Sequence, residues 1–202
     1  MTPLNPWVLE AMADLPVGRG YRFEPAPRSS EADPTNPRDP HHDGVSRPLR
    51  LDAVEVAHAA TDGATYCCGV TLEAWWRAVE AATGQAPPLS PGEAEALLVD
   101  WFCPVMGHDG VADALVKRGW GESVAPEEAQ PGDFVQYWRS VDLAAPSGHS
   151  AVFLGWREDR SVLRYASSQP ATNGVGEHEE SVGPTWRLAF VRAWVPGALA
   201  RS

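Results

Sequence analysis

The chain has 202 residues, 44% of them hydrophobic, three cysteines and a formal charge of −11. That length suits one domain with a substantial core, and the acidity, with no basic stripe, excludes a non-specific nucleic-acid binder. There is no run of about 18 apolar residues, so no membrane-spanning helix is expected; two adjacent thiols in an odd count of cysteines do not form a disulfide framework.

The segment Met1-Thr2-Pro3-Leu4-Asn5-Pro6 has neither a basic n-region nor an apolar h-region. Synthesis in the cytoplasm without a Sec signal is therefore expected, and an extracellular substrate would require a dedicated secretion machine. Asn5 and Pro6 suggest an N-cap and a first helical position, with Trp7, Val8, Ala11, Met12 and Leu15 following at helical spacing. Residues 16–48, dense in Pro, Gly, Arg and Asp, are expected to be a long irregular arm. His41-His42-Asp43 lies in it without a third or fourth ligand spaced nearby, so it reads as a solvated loop and no metal site is assigned.

A short helix is expected over 51–60, then a longer one from Cys67 to about residue 83, ended by Gly84. Ser90-Pro91-Gly92-Glu93 has the form of a capping box opening a helix to about Trp101. Asp109 is expected to cap another that ends through Lys117, Arg118 and Gly119. Beyond Pro131 the pattern becomes that of strands, over 133–138, 150–156, 162–168 and 186–195. Helices first and strands later give an α+β domain, N-terminal helices packed on a C-terminal antiparallel sheet. The expected division is a helix and arm over 1–50, a core domain over 51–196 and a tail over 197–202.

Cys68, Leu72, Trp75, Trp76 and Val79 form one apolar helical stripe, which places Cys68 in the core. Cys67 points about 100° away, on the face of Thr71, Ala74 and Ala78, where small residues admit close approach to a sheet. Cys67 is therefore the better nucleophile, since a helix N-terminus and a nearby imidazole both favour a thiolate. His149 opens an apolar strand in which Val152, Leu154 and Trp156 alternate with Ala151, Phe153 and Gly155. From that position it can reach a neighbouring helix end. Cys103 is read as a buried thiol. Trp75, Trp76, Trp138 and Trp156 are read as core, while Trp7, Trp101 and Trp120 are candidates for the rim of a groove.

Three elements carry a resemblance to a known family. Cys67-Cys68-Gly69 is similar to the Asp-Cys-Ser-Gly element of NlpC-type papain-fold hydrolases, with Tyr66 and Cys68 in place of Asp and Ser. Pro131-Gly132-Asp133-Phe134 resembles their Pro-Gly-Asp-Leu strand, and His149-Ser150-Ala151-Val152-Phe153-Leu154-Gly155 their His-Val-Gly-Ile-Tyr-Leu-Gly strand. The order is shared with CHAP amidases and spans roughly residues 60–170. The resemblance implies a papain-like fold, a Cys67 nucleophile, a His149 base and cleavage of amide bonds without a cofactor, commonly in bacterial cell-wall peptides. A peptide substrate is the implied partner, with a cognate inhibitor or delivery machinery beside it and neither nucleic acid nor membrane.

A third residue must orient the imidazole. Leu163, Tyr165, Ser167 and Gln169 share one strand face. Tyr165 stands near the family position but is not a usual orienter. Gln169 is the preferred residue, because its amide oxygen can accept from the imidazole N–H, with Ser167 and Asn173 behind it. Tyr66, Ser167 and Asn173 are candidate substrate contacts, the last in a polar, turn-rich segment over 168–176. Two alternatives stay open: a papain-fold acyltransferase or protein-directed protease, and a catalytically inactive binding module on the same fold.

Overall fold

The computed structural model describes residues 1–23, 42–102, 108–140 and 148–197; Cys103, His41 and residues 24–41 of the arm lie outside them. Among the described residues there are four α-helices, α1 (Asn5–Ala13), α2 (Cys67–Thr83), α3 (Pro91–Phe102) and α4 (Val111–Lys117). Two short strands, β1 (Leu49–Leu51) and β2 (Val54–Ala57), pair with each other. The remaining strands are β3 (Gly121–Val124), β4 (Phe134–Trp138), β5 (Gly148–Arg157), β6 (Val162–Gln169), β7 (Gly174–Ser181) and β8 (Arg187–Ala193). They build one sheet in the order β3-β8-β4-β5-β6-β7, antiparallel at every pairing. The chain is thus α+β, with most of its helices preceding most of its strands.

The helix ends show which local signals hold. Gly84 closes α2 in the left-handed region, at φ 75°, and its N–H reaches Glu80 O at 2.8 Å; a residue without Cβ adopts this conformation at no steric cost. The capping box before α3 is formed, Ser90 N–H donating to Glu93 Oε2 at 2.8 Å and Glu93 N–H to Ser90 Oγ at 3.3 Å. Two expected caps are not formed. Asn5 is already helical, and its side-chain amide donates instead to Pro131 O (3.0 Å) and Asp133 Oδ1 (2.8 Å). Asp109 pairs with Arg187 at 2.6 Å, while Gly110 occupies the N-cap of α4.

The short helix expected over 51–60 is a hairpin. Asp52 takes φ 51° at its turn, and the alternation Val54, Glu55, Val56 suits a pleated ribbon better than a helix. Strands β3 and β7 were not expected; both are edge strands rich in polar residues, so they lack an apolar alternation. The segment over 168–176 is not a plain loop: β6 runs to Gln169, a 3₁₀ turn spans Pro170–Thr172, and β7 starts at Gly174. His42 and Asp43 are buried, not solvated. Asp43 Oδ2 accepts from His58 N–H at 2.6 Å, and the His42 ring lies edge-on to Tyr66.

One face of the sheet carries the main core, in which Leu72, Trp75, Trp76 and Val79 of α2 meet Leu97 and Trp101 of α3 and Phe134, Val152 and Val191 of the sheet. The other face holds a second cluster of Val135, Tyr137, Ala151, Phe153, Leu163, Tyr165 and Phe190. Helix α1 belongs to the main core through Val8, Ala11 and Met12. The described start of the arm is pinned beside α2: Tyr21 bridges Thr65, Val17 bridges Val175, and Gly20 N–H donates to Asn173 O at 2.7 Å. No helix among the described residues is long and apolar enough to cross a membrane.

The Pro131-Gly132-Asp133 turn ties α1 to the sheet. Gly132 has φ 92°, and a Cβ there would lie 2.6 Å from Asn5 O. Asp133 is fully buried and accepts from Arg192 Nε (3.0 Å) and Nη2 (2.9 Å), from Gln130 N–H and from Asn5. Removing one partner strands the other, so Asp133→Ala is predicted to destabilise the fold by about 3 kcal/mol. Denaturant unfolding checks this; a loss below about 1 kcal/mol would show that the turn does not anchor the sheet.

Candidate active site

Cys67 is the first residue of α2. Tyr66, with extended backbone at φ −147° and ψ 170°, is its N-cap and contributes no side-chain cap. One turn on, the buried Thr71 hydroxyl lies 3.2 and 3.0 Å from the carbonyl oxygens of Cys67 and Cys68, to which it donates, and 2.9 Å from Ser150 Oγ on β5. Trp101 Nε1–H donates to the same hydroxyl at 3.2 Å. These bonds hold the first turn of α2 against the start of β5, where His149 precedes Ser150.

The segment before α2 packs as closely. A Cβ on Gly69 would lie 2.2 Å from Asp43 O, and one on Gly44 2.4 Å from the Tyr66 ring. Glycine at both positions lets residues 43–44 cross the helix start. Tyr66 is buried among Phe23, His42 and Phe102.

The two thiols exchange the expected burial. Cys67 is buried at 7% exposure, while Cys68 is half-buried at the margin of the core. The stripe through Leu72, Trp75, Trp76 and Val79 is in the core as expected, but at the helix end it runs off the core's edge. The sulfurs are 3.8 Å apart and both are free thiols. Cys67 is held well below the ordinary thiol pKa, first by the hydrogen bond from Cys68. Burial opposes this; the charge of a protonated His149, a hydrogen bond from its ring and a backbone hydrogen bond from Ser150 add to it.

His149 is itself 7% exposed. Because strand residues alternate, its ring joins the second face of the sheet, 5.4 Å from the Tyr137 ring and 5.9 Å from that of Tyr165. Gln169 reaches it at the end of β6, with the side-chain nitrogen Nε2 lying 3.2 Å from His149 Nε2. Cys67, His149 and Gln169 therefore converge, from α2, β5 and β6. The Gln169 group that faces the imidazole is the amide nitrogen, not the oxygen expected.

Of the other candidates, Ser167 is fully buried and its hydroxyl donates to Ser150 O at 2.7 Å. It joins β6 to β5 and faces no solvent. Asn173 is exposed, in the left-handed region at φ 48°. Trp101 is a core residue rather than a rim residue. Trp120 stacks on Trp75 at 5.6 Å.

Behind Gln169 stands a polar cluster that the sequence did not place. Gln169 Nε2 also donates to Tyr165 Oη, and Tyr165 Oη donates to Glu180 Oε2 at 2.9 Å. Glu180 is paired with Arg139, whose Nη2 lies 2.7 Å from Oε2 and 3.1 Å from Tyr137 Oη. Burial raises the Tyr165 hydroxyl to about 12. Burial also works against ionisation of Glu180, yet Arg139 and the tyrosine hydroxyls hold that carboxyl below its ordinary range. Tyr137 and Tyr165 were legible as strand residues on the same face as His149; Glu180 lies on β7, which gave no apolar alternation.

Among the described residues, no group of three or more His, Cys, Asp or Glu side chains could hold a metal ion. Comparison with protein-family models, with curated proteins and with solved structures finds no match for this chain.

Because the Cys67 pKa is lowered, its thiolate persists on acidification until the pH falls through the folded value. Iodoacetamide labelling of Cys67 is therefore predicted to stay fast at neutral pH and to fade only well below the ordinary thiol range. Cys68→Ala removes the largest lowering influence and should move that profile toward higher pH. Labelling that tracks a free-cysteine profile in both proteins would refute the assignment.

Proposed function

We propose that the chain is a cysteine hydrolase of the papain-like type that cleaves amide bonds through an acyl-thioester, with bacterial cell-wall peptides as the substrate class. What carries the reading is the convergence of the helix-start thiol of Cys67 with the imidazole of His149, itself bonded to a neutral amide on the next strand. Support also comes from the resemblance of three ordered segments to NlpC-type hydrolases.

In this mechanism the Cys67 thiolate attacks the carbonyl carbon, and the tetrahedral intermediate collapses as His149 protonates the leaving amine. His149 then takes a proton from water, whose oxygen attacks the thioester and releases the acid and the thiol. The backbone N–H of Cys67, in the first turn of α2, is the proposed oxyanion donor. Tyr21 is bridged to Thr65, two residues before the nucleophile, so the described start of the arm runs beside it. That position gives the arm a role in substrate selection.

Mass spectrometry of purified cell-wall fragments and tripeptides incubated with the protein tests the activity. Cys67→Ala is predicted to abolish turnover, and His149→Ala to lower it by about 10²–10⁴-fold. Cys68→Ala should retain measurable turnover. A folded His149→Ala protein with a near-normal rate would sink the reading. A catalytically inactive module is the second reading, favoured by the amide nitrogen of Gln169 facing His149; absence of any cleavage together with ordinary Cys67 reactivity would select it.

A further inference from the structure

The cluster behind His149 has a fixed hydrogen-bond polarity. Ionised Glu180 can only accept. Its Oε2 lies 2.9 Å from Tyr165 Oη, so the Tyr165 proton must lie on that line. Any other placement leaves two lone-pair oxygens facing each other across 2.9 Å in a half-buried site. The Tyr165 oxygen is then an acceptor from Gln169, and Tyr137 Oη, 2.9 Å from it and 3.2 Å from the same Glu180 oxygen, shares its proton between the two. The Gln169 atom beside it must therefore be the amide nitrogen, an assignment that follows from the network itself and not from the shape of the amide. Its second N–H points at His149 Nε2, 3.2 Å away, and that ring nitrogen must accept. Nδ1 is the nitrogen left to face Cys67, whose thiolate the imidazole favours.

We propose that Tyr165 and Glu180 are positioning residues for His149: the Glu180 carboxylate accepts the Tyr165 hydrogen bond, this turns the Gln169 amide N–H toward Tyr165 and His149, and the neutral form of the ring is thereby given one tautomer, with its proton on Nδ1. An imidazolium carries N–H on both nitrogens, so it would set an Nε2–H against the Gln169 N–H. Protonation of His149 thus requires Gln169 to reverse and present Oε1, and Tyr165 to let go of its donor. Arg139, bonded to both Glu180 oxygens and over the Tyr137 ring at 5.0 Å, resists this by keeping Glu180 charged. In catalytic terms, which rest on the hydrolase reading, an Nδ1 that already carries the ring proton cannot take another, so the cluster restrains the base step as well as the acid step until the amide turns.

The groups around His149 are Cys67 from α2, Tyr137 from β4, Tyr165 and Gln169 from β6 and His178 from β7, with Glu180 and Arg139 one bond further out. His178 stacks on Tyr165 at 5.3 Å, so a charge there would also oppose an imidazolium on His149.

The test uses NMR of the full chain with ring-¹⁵N-labelled histidine, in the wild type, Tyr165→Phe and Glu180→Gln. The wild type should show His149 as the Nδ1–H tautomer, Nε2 bare. Tyr165→Phe removes the acceptor that fixes the amide, so Gln169 can offer its oxygen. The neutral ring should then populate the Nε2–H tautomer beside the Nδ1–H form. Glu180→Gln, which removes the charge obliging Tyr165 to donate, should move the tautomer in the same direction by less. A residue with only a structural role would leave the tautomer unchanged. An Nε2–H tautomer in the wild type, or an unmoved tautomer in both folded variants, overturns the proposal. These readouts need no turnover. If they appear as expected while no peptide is cleaved, the positioning stands and the hydrolase reading alone falls.

Discussion

The hydrogen bond between Thr71 of α2 and Ser150 of β5 is the joint on which the candidate site depends. It holds the start of a helix at the start of a strand, and the reactive groups are their immediate neighbours: Cys67 one turn before Thr71 and His149 one residue before Ser150. The bond itself is worth on the order of 1 kcal/mol. Burial of Leu72, Trp75, Trp76 and Val79, at roughly 1.5–3 kcal/mol for each large side chain, is what presses α2 onto the sheet. The energetics therefore divide in two: apolar packing decides that the helix docks, and the buried hydroxyl pair decides in which register.

That register is defended from both sides of the helix. Trp101 Nε1 adds a second donor at Thr71, so α3 fixes the same turn from behind. On the side of the arm, the buried Glu73 carboxylate accepts from Ser46 N–H and Oγ and from Arg77 Nε. It clamps the segment before β1 to the middle of α2. A buried charge without those partners would be costly, so Glu73 specifies where the segment lies. The close passage of residues 43–44 over Gly69 then follows, since no side chain fits there.

The polar cluster of Tyr137, Arg139, Tyr165 and Glu180 plays the corresponding part on the other face of the sheet. In a low-dielectric setting a saturated network has few alternative arrangements, because each reversal exposes an unpaired group. A charge pair on β7 and the end of β4 thereby reaches the imidazole through a tyrosine and an amide. The same sheet thus carries an apolar face that stabilises α2 and a polar end that sets the state of His149.

Much of the architecture was legible in the residues. The span of α2, its Gly84 stop, the capping box of α3 and four of the five strands after Pro131 rest on local signals, the period of apolar residues and the chemistry of helix ends, which the fold does not override. The convergence of Cys67, His149 and Gln169 was readable because each lies at the end of a regular element whose face could be counted. The hairpin over 49–57, the role of Asn5, the pairing of Asp109 and the burial of His42 and Asp43 were not readable. The hairpin turns on the conformation of Asp52 in a segment too short to show its period; in the other cases a polar side chain finds a partner that only the fold brings within reach. For the same reason the sequence determined which residues could meet at the site. Tertiary structure alone decided that Cys67 is the more buried thiol and that the nitrogen of Gln169 faces His149. The first depends on where the core ends, the second on a carboxylate arriving from an edge strand.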